Sequence, residues 1–389
     1  MNQFELVPDR KNTRSVKWDA IKDVFDSNDV LPMWVADMDF KAPKAVNEAL
    51  INRAKHGVYG YTIVDEEVKQ SITKWLHNQF NWEIEKDWLS FSPGVVTSLH
   101  IAVQAFTEPH DKILIQTPVY PPFYQVIETH NRQIVKNPLL RQDDYYTIDF
   151  VDFEEKLKQG VKVFILCSPH NPVGRVWTKS ELQKIADLCI AYNVIIISDE
   201  IHADLVLNDH THIPIANLSK EMALKTVTCM APSKTFNLAG LQASYIVTKN
   251  PDMRKKIDQL LDGQGLTSLN TMGTTALHAA YQYGEDWLKE LLNLLSDHQQ
   301  YVMKMFAENI PELRVIPAEG TYLLWIDCSG LGMNNEELQK FLIHKARVGL
   351  NEGRSYGEEG NQFMRMNIAT SKQILEEGVR RIIKAVKQR

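Results

Sequence analysis

The sequence predicts an α/β protein, with a large domain on a mostly parallel, doubly wound sheet and a smaller α+β domain beside it. Short β-branched runs such as VIIIS and VFILC are apolar at successive positions, as strands covered on both faces are. They alternate with amphipathic helical stretches, the pattern of strand–helix–strand units. After about residue 285 that alternation gives way to one long helical stretch followed by strands of a different character. At 389 residues the chain is too long for one small core, and two lobes sharing a site follow naturally.

In chain order, strands are expected at Trp88–Ser92, Lys112–Gln116, Val161–Cys167, Val194–Ser198, Thr226–Met230 and Ser244–Thr248. Between the third and fourth, Thr178 and Glu181 form a capping-box pattern. Leu182, Ile185, Ala186 and Cys189 then repeat at helical spacing. Further on, EDWLKELLNLLSDHQQYVMKMFAENI reads as a helix, TYLLWID and FMRMNIA as strands. A closing helix carries Leu375, Val379, Ile382, Ile383 and Val386 on one face. The expected division is a large domain over 46–285 and a small domain over 286–389 completed by residues 1–45.

Composition narrows the class of function. Hydrophobic residues at 44% and charged residues at 24% describe an ordinary globular chain. A net charge of −6 gives no reason to expect nucleic acid as the main partner. The start, MNQFELVPDRK, lacks a basic region followed by an apolar one, and no apolar run reaches the ~18 residues of a membrane span. The four cysteines, Cys167, Cys189, Cys229 and Cys328, show no paired spacing and read as buried, reduced thiols. Those features point to the cytoplasm, with no membrane partner.

Candidate chemistry gathers where strands end. Lys234, in APSKTFNLAGL, follows an apolar strand. By residue type alone it is a solvated surface lysine. At the carboxyl end of a strand, where open α/β sheets bind ligands, a desolvated amine becomes a nucleophile toward an aldehyde. Asp199 follows VIIIS and reads either as a strand-end cap or as a buried partner for a protonated ring nitrogen. A metal site there would draw on His202, Asp204, His210 and His212, whose spacing matches no metal motif, so no metal is expected. Asn171, in CSPHNPVGR, suits a turn, yet its amide also suits a phenolic oxygen. In FSPGVVTSLHIAVQAF, a glycine turn opens a helix whose free N–H groups at Val95 and Val96 suit a phosphate. There is no GxGxxG or GxxxxGK[ST] to suggest a nucleotide. Tyr120 is either core packing or a ring stacker. Arg365 is either an exposed strand arginine or a bidentate clamp for a carboxylate.

The order Asn171, Asp199, Lys234 resembles fold-type I pyridoxal 5′-phosphate (PLP) enzymes, the aspartate aminotransferase superfamily. The stretches DRKNTRSVKWD, LPMWVADMDF, YGYT, SPGVV, CSPHNPVGR, SDEIHADL, APSKTFNLAGL and MRMNIAT resemble the MalY/PatB group of C–S β-lyases over essentially the whole chain. The resemblance implies a PLP cofactor carried by Lys234 as a Schiff base, with Lys234 and Tyr120 the catalytic candidates. Asp199 would face the ring nitrogen, Asn171 the phenolic oxygen, and Tyr120 the ring. Val95, Val96 and Ser233 would hold the phosphate, joined by Tyr61 from a neighbouring subunit, which implies a homodimer. Arg365 would bind the substrate α-carboxylate, assisted by backbone at Val35 and Ala36. Two positions depart from the wider superfamily: His202 stands where a tyrosine is usual, and Gln242 where a phosphate-binding Arg or Lys is common. The implied activity is α,β-elimination of L-cystathionine and other cysteine S-conjugates. Transamination on the same constellation, or a secondary role binding a transcription regulator, are the alternatives.

Overall fold

The computed structural model describes residues 3–5, 7–266 and 268–389; Met1, Asn2 and Leu6 of the expected N-terminal segment, and Thr267, lie outside them. The expected α/β architecture is present. A seven-stranded sheet runs in the order Leu89–Ser92, Ser244–Val247, Thr226–Met230, Ile195–Asp199, Val161–Cys167, Lys112–Thr117, Gln133–Pro138. Its last five strands are parallel to one another, while Ser244–Val247 runs against both neighbours.

The apolar runs are explained by the two-residue period of a strand. Along Val161–Cys167, Val163, Ile165 and Cys167 enter the core beneath the helices Val95–Phe106 and Pro251–Gly263, while Phe164 and Leu166 enter the core on the opposite face with Leu182 and Ile185. The helix Lys179–Ala191 begins at the expected capping box, with Thr178 accepting from the Glu181 backbone and Glu181 answering the Thr178 backbone. Because both faces of the central strand are packed, Ile165→Ala is expected to lower unfolding free energy by about 2–5 kcal/mol, seen as a reduced denaturation midpoint. A shift below ~0.5 kcal/mol, the usual limit for a surface site, would mean that the face is not tightly packed.

Several boundaries shift from expectation. The strand expected at Val194–Ser198 is Ile195–Asp199, so Asp199 closes the strand instead of following it. Gln133–Pro138 was not anticipated, because as an edge strand it alternates between exposed and buried residues and ends in proline.

A second, four-stranded sheet joins Arg314–Ile316, Leu323–Asp327, Phe363–Asn367 and Asn351–Glu352. The 25-residue helix Glu285–Asn309 and the closing helix Lys372–Lys387 pack on it, with Leu291, Leu295, Val302, Leu375, Val379 and Ile382 buried in the same core as Leu324, Met364 and Met366. Leu31–Pro32 pairs in parallel with Val348–Gly349, tying the N-terminal segment to this unit. No helix among the described residues is long and apolar enough to cross a membrane.

Candidate active site

Strand ends deliver the polar residues to one place. Asp199 closes Ile195–Asp199, Asn171 lies four residues past Val161–Cys167, and Tyr120 three past Lys112–Thr117. Ser233 and Lys234 sit on the single helical turn Pro232–Thr235 that follows Thr226–Met230. These residues line an inner cavity of about 240 Å³, with His202, Ala36, Val95, Val96 and Gln242. An adjoining vestibule of about 750 Å³ is lined by Val35, Ala36, Tyr120, Lys234 and Arg365, among others. Of the expected site residues, Tyr61 alone lines neither space, and it is fully exposed.

Lys234 is only partly exposed, and its Nζ donates to the Ala36 carbonyl at 2.7 Å. Burial, then the Arg365 charge, pull its pKa down to about 8, against the opposing pull of Asp37 and Asp199. The surface-lysine reading therefore fails. Asp199 is buried, with one carboxylate oxygen accepting from the Ile201 N–H at 3.2 Å. Burial pushes its pKa up to about 7, although the Ile201 hydrogen bond and Lys234 pull the other way.

Arg365 is also buried rather than exposed. All five residues of Phe363–Asn367 are covered, since Met364 and Met366 face the core they share with Leu295 and Val379 while Phe363 stacks on Trp325. Its guanidinium donates to the Asn171 Oδ1 at 3.3 Å and the Trp34 carbonyl at 2.9 Å, and lies over the Tyr356 ring. No carboxylate is paired with it among the described residues, which suits a group built to receive one. His202 is buried with its Nδ1 unpartnered among the described residues, and burial holds its pKa down to about 3, so the ring is neutral.

The phosphate end is made of backbone. The helix Val95–Phe106 starts its internal ladder with the Ser98 N–H on the Gly94 carbonyl, so the N–H groups of Val95, Val96 and Thr97 precede the first helical bond. Gly94 holds φ +145°, which side-chain residues rarely adopt. Lys234 is the only cation among the residues lining the inner cavity, so with Gln242 in place this chain offers a phosphate the helix dipole rather than a second positive side chain. A buried carboxylic acid, a desolvated amine and a helix N-terminus bordering one cavity fit pyridoxal phosphate.

Sequence reasoning missed the residues that hold the segment from Trp34 to Asp37. Asn367 donates to the carbonyls of Val35 (2.5 Å) and Asp37 (2.6 Å), Tyr322 to Ala36 at 2.9 Å, and Asn351 to Trp34 at 3.0 Å. With those carbonyls turned away, the Val35 and Ala36 N–H groups make no hydrogen bond to a described residue. Asn367 was findable, lying two residues from Arg365 and so on the same strand face. Tyr322 and Asn351 carry no such signal.

Lys234 also links pH to stability. Its folded pKa lies below the unfolded value of ~10.4. From about 8 up to that value the unfolded chain binds the extra proton, so stability rises with pH across the window. Below it, the cost of burying a charged amine is fully present. Lys234→Met is expected to raise the Tm of cofactor-free protein at pH 7 by about 2–4 °C, an advantage that shrinks towards zero near pH 10.5. A Tm difference independent of pH would contradict this.

Residues 28–382 match the family model for aminotransferase class I and II. The chain is 45% identical over 380 residues to cystathionine beta-lyase PatB of Bacillus subtilis (strain 168), covering 97% of this chain and 98% of that one. It is 36% identical to Protein MalY of Escherichia coli (strain K12), covering 100% and 99%. Among solved structures, the PLP-bound C–S lyase from Staphylococcus hominis superposes with a TM-score of 0.92 at 31% identity, over 98% of this chain and 97% of that one.

Proposed function

Since the chain belongs to the MalY/PatB family of PLP-dependent carbon–sulfur lyases, we propose that its reaction is α,β-elimination of L-cystathionine and related cysteine S-conjugates. The products are a thiol, pyruvate and ammonia; with cystathionine the thiol is homocysteine. The observation that carries this reading is the convergence of Lys234, Asp199 and Arg365 from three separate elements on two adjoining spaces.

When bound, pyridoxal phosphate supplies an electron-withdrawing ring that stabilises negative charge at a substrate's Cα. The chain's residues do the rest. Arg365, aided by the Val35 and Ala36 N–H groups, receives the α-carboxylate and fixes the substrate's orientation. Lys234 would hold the cofactor covalently, and its amine, when free, would take the Cα proton. Its lowered pKa makes the free amine accessible near neutral pH. Asp199 would hold a proton at the ring nitrogen. Asn171, whose Oδ1 faces Arg365, has its NH₂ to donate to the phenolic oxygen. Tyr120 would flank the ring, while Val95, Val96 and Ser233 would hold the phosphate. Neutral His202 adds no charge beside the cofactor. The Cβ–S bond then breaks, the thiolate leaves, and water releases pyruvate and ammonia.

The test is pyruvate formation from cystathionine with no keto acid present. Turnover that requires a keto-acid acceptor would instead mark an aminotransferase.

We also infer a homodimer with shared sites. Val58, Tyr59, Tyr61 and Ile63 form an exposed, largely apolar stretch, an uncommon feature for a surface left in water. Tyr61 then reaches the phosphate of the other subunit. Co-expressed Tyr61→Ala and Lys234→Ala chains are expected to recover activity that neither has alone, and a mixture as inactive as its parents would sink the shared site.

A further inference from the structure

We propose that Arg14 forms a subsite for a distal carboxylate on the leaving-group half of the substrate, so that the enzyme prefers thioethers with an anionic far end. This deepens the lyase reading and rests on it.

The vestibule outside Lys234 is lined by four cations, Arg10, Arg14, Lys234 and Arg365, and two anions, Asp37 and Asp39. Three of the cations are already engaged. Arg10 bridges Asp37 at 2.6 Å and Asp39 at 2.8 Å; Lys234 bonds the Ala36 carbonyl; Arg365 bonds Asn171 and Trp34 beside the reacting end. Asp37 and Asp39 are answered by Arg10, and Asp39 also by Lys17 at 2.8 Å. Arg14 is the exception: among the described residues its guanidinium makes no ion pair or hydrogen bond. It is exposed and borders the vestibule, so its guanidinium stays hydrated until an anion arrives.

Its backbone is fixed, so the side chain starts from a set place at the vestibule rim. The Asp19 carboxylate accepts the backbone N–H groups of Asn12 (2.7 Å), Thr13 (3.0 Å) and Ser15 (2.9 Å), winding the loop around one acid. Those bonds hold Asn12 at φ +59° and Arg14 at φ +64°, in the left-handed region that a long side chain rarely occupies. The loop thus presents Arg14 at the rim in a backbone conformation that costs free energy for a long side chain.

A thioether oriented by Arg365 at its α-carboxylate extends its sulfur and leaving group away from that anchor and into the vestibule. A carboxylate at its far end meets Arg14 as the one uncommitted cation there, and guanidinium geometry favours a bidentate contact. A distal ammonium gains nothing from Arg14, and a distal alkyl group is neutral to it.

The test uses the holoenzyme with three matched substrates: S-(2-carboxyethyl)-, S-propyl- and S-(2-aminoethyl)-L-cysteine. Wild-type enzyme is expected to favour the carboxyethyl compound in kcat/KM. Arg14→Ala lowers its advantage over the propyl compound about tenfold, mainly through KM. Arg14→Lys retains part of the preference, and Arg14→Glu shifts it towards the aminoethyl compound. A carboxyethyl-to-propyl ratio within twofold of wild type in both Arg14→Ala and Arg14→Glu overturns the subsite. If wild-type enzyme releases pyruvate from neither cystathionine nor any of the three, it is the lyase reading that fails; release from cystathionine alone overturns the subsite, because an anionic far end then gives no advantage.

Discussion

Lys234→Ala is expected to lower kcat for pyruvate release by about 1000-fold or more, since general acid–base chemistry alone contributes about 10²–10⁴-fold and the covalent hold on the cofactor proposed for this amine would be lost with it. The amine is placed for both tasks. It borders the inner cavity with Asp199 and the vestibule with Arg365, and its bond to Ala36 holds it there. Borohydride treatment of wild-type holoenzyme should fix the cofactor on the peptide containing Lys234, read by mass, and the variant should show no such label. Far-UV circular dichroism should be unchanged, because removing a buried amine relieves a desolvation cost and breaks one hydrogen bond to a carbonyl that Tyr322 still bonds. A variant retaining a tenth of wild-type activity would reassign the proton transfer to another group.

Asp199→Asn is expected to lower kcat by about 100–1000-fold, the range seen when one preorganised electrostatic partner is removed. An amide has no charge with which to keep a ring nitrogen protonated. The same burial that suits the acid to this task makes it a liability without the cofactor. Its folded pKa, raised to about 7, lies above the unfolded value of ~3.9. Between those values the native protein binds the extra proton, and stability falls as pH rises through the window. Cofactor-free Asp199→Asn protein should therefore match wild type near pH 4 and exceed it in Tm above pH 7. Loss of both activity and stability at neutral pH would instead mark Asp199 as a structural acid.

Much of this was legible in the sequence because strands and their ends are local features. VFILC and VIIIS announced strands covered on both faces, and the residues just past such strands fall at the carboxyl edge of the sheet by topology alone. That logic, with the spacing of Asn171, Asp199 and Lys234, brought three site residues into one cavity before any contact was known. The clasp around residues 34–37 was not legible. Asn367, Tyr322 and Asn351 lie about 300 residues from the carbonyls they bind, and no local pattern encodes so distant a hydrogen bond.

By itself, then, the sequence determined the alternation of elements, the sheet edge on which chemistry gathers, and the order of the residues that resemble a PLP site. Tertiary structure decided the states of those residues. Lys234 and Asp199 depart from ordinary titration because of burial, which depends on what the rest of the chain packs around them. Arg365 is a buried guanidinium beside the site rather than a surface charge because its strand is covered on both faces by segments remote in sequence. Composition and spacing assign residue types to positions, but desolvation and uncommitted hydrogen-bonding capacity arise only when distant segments meet.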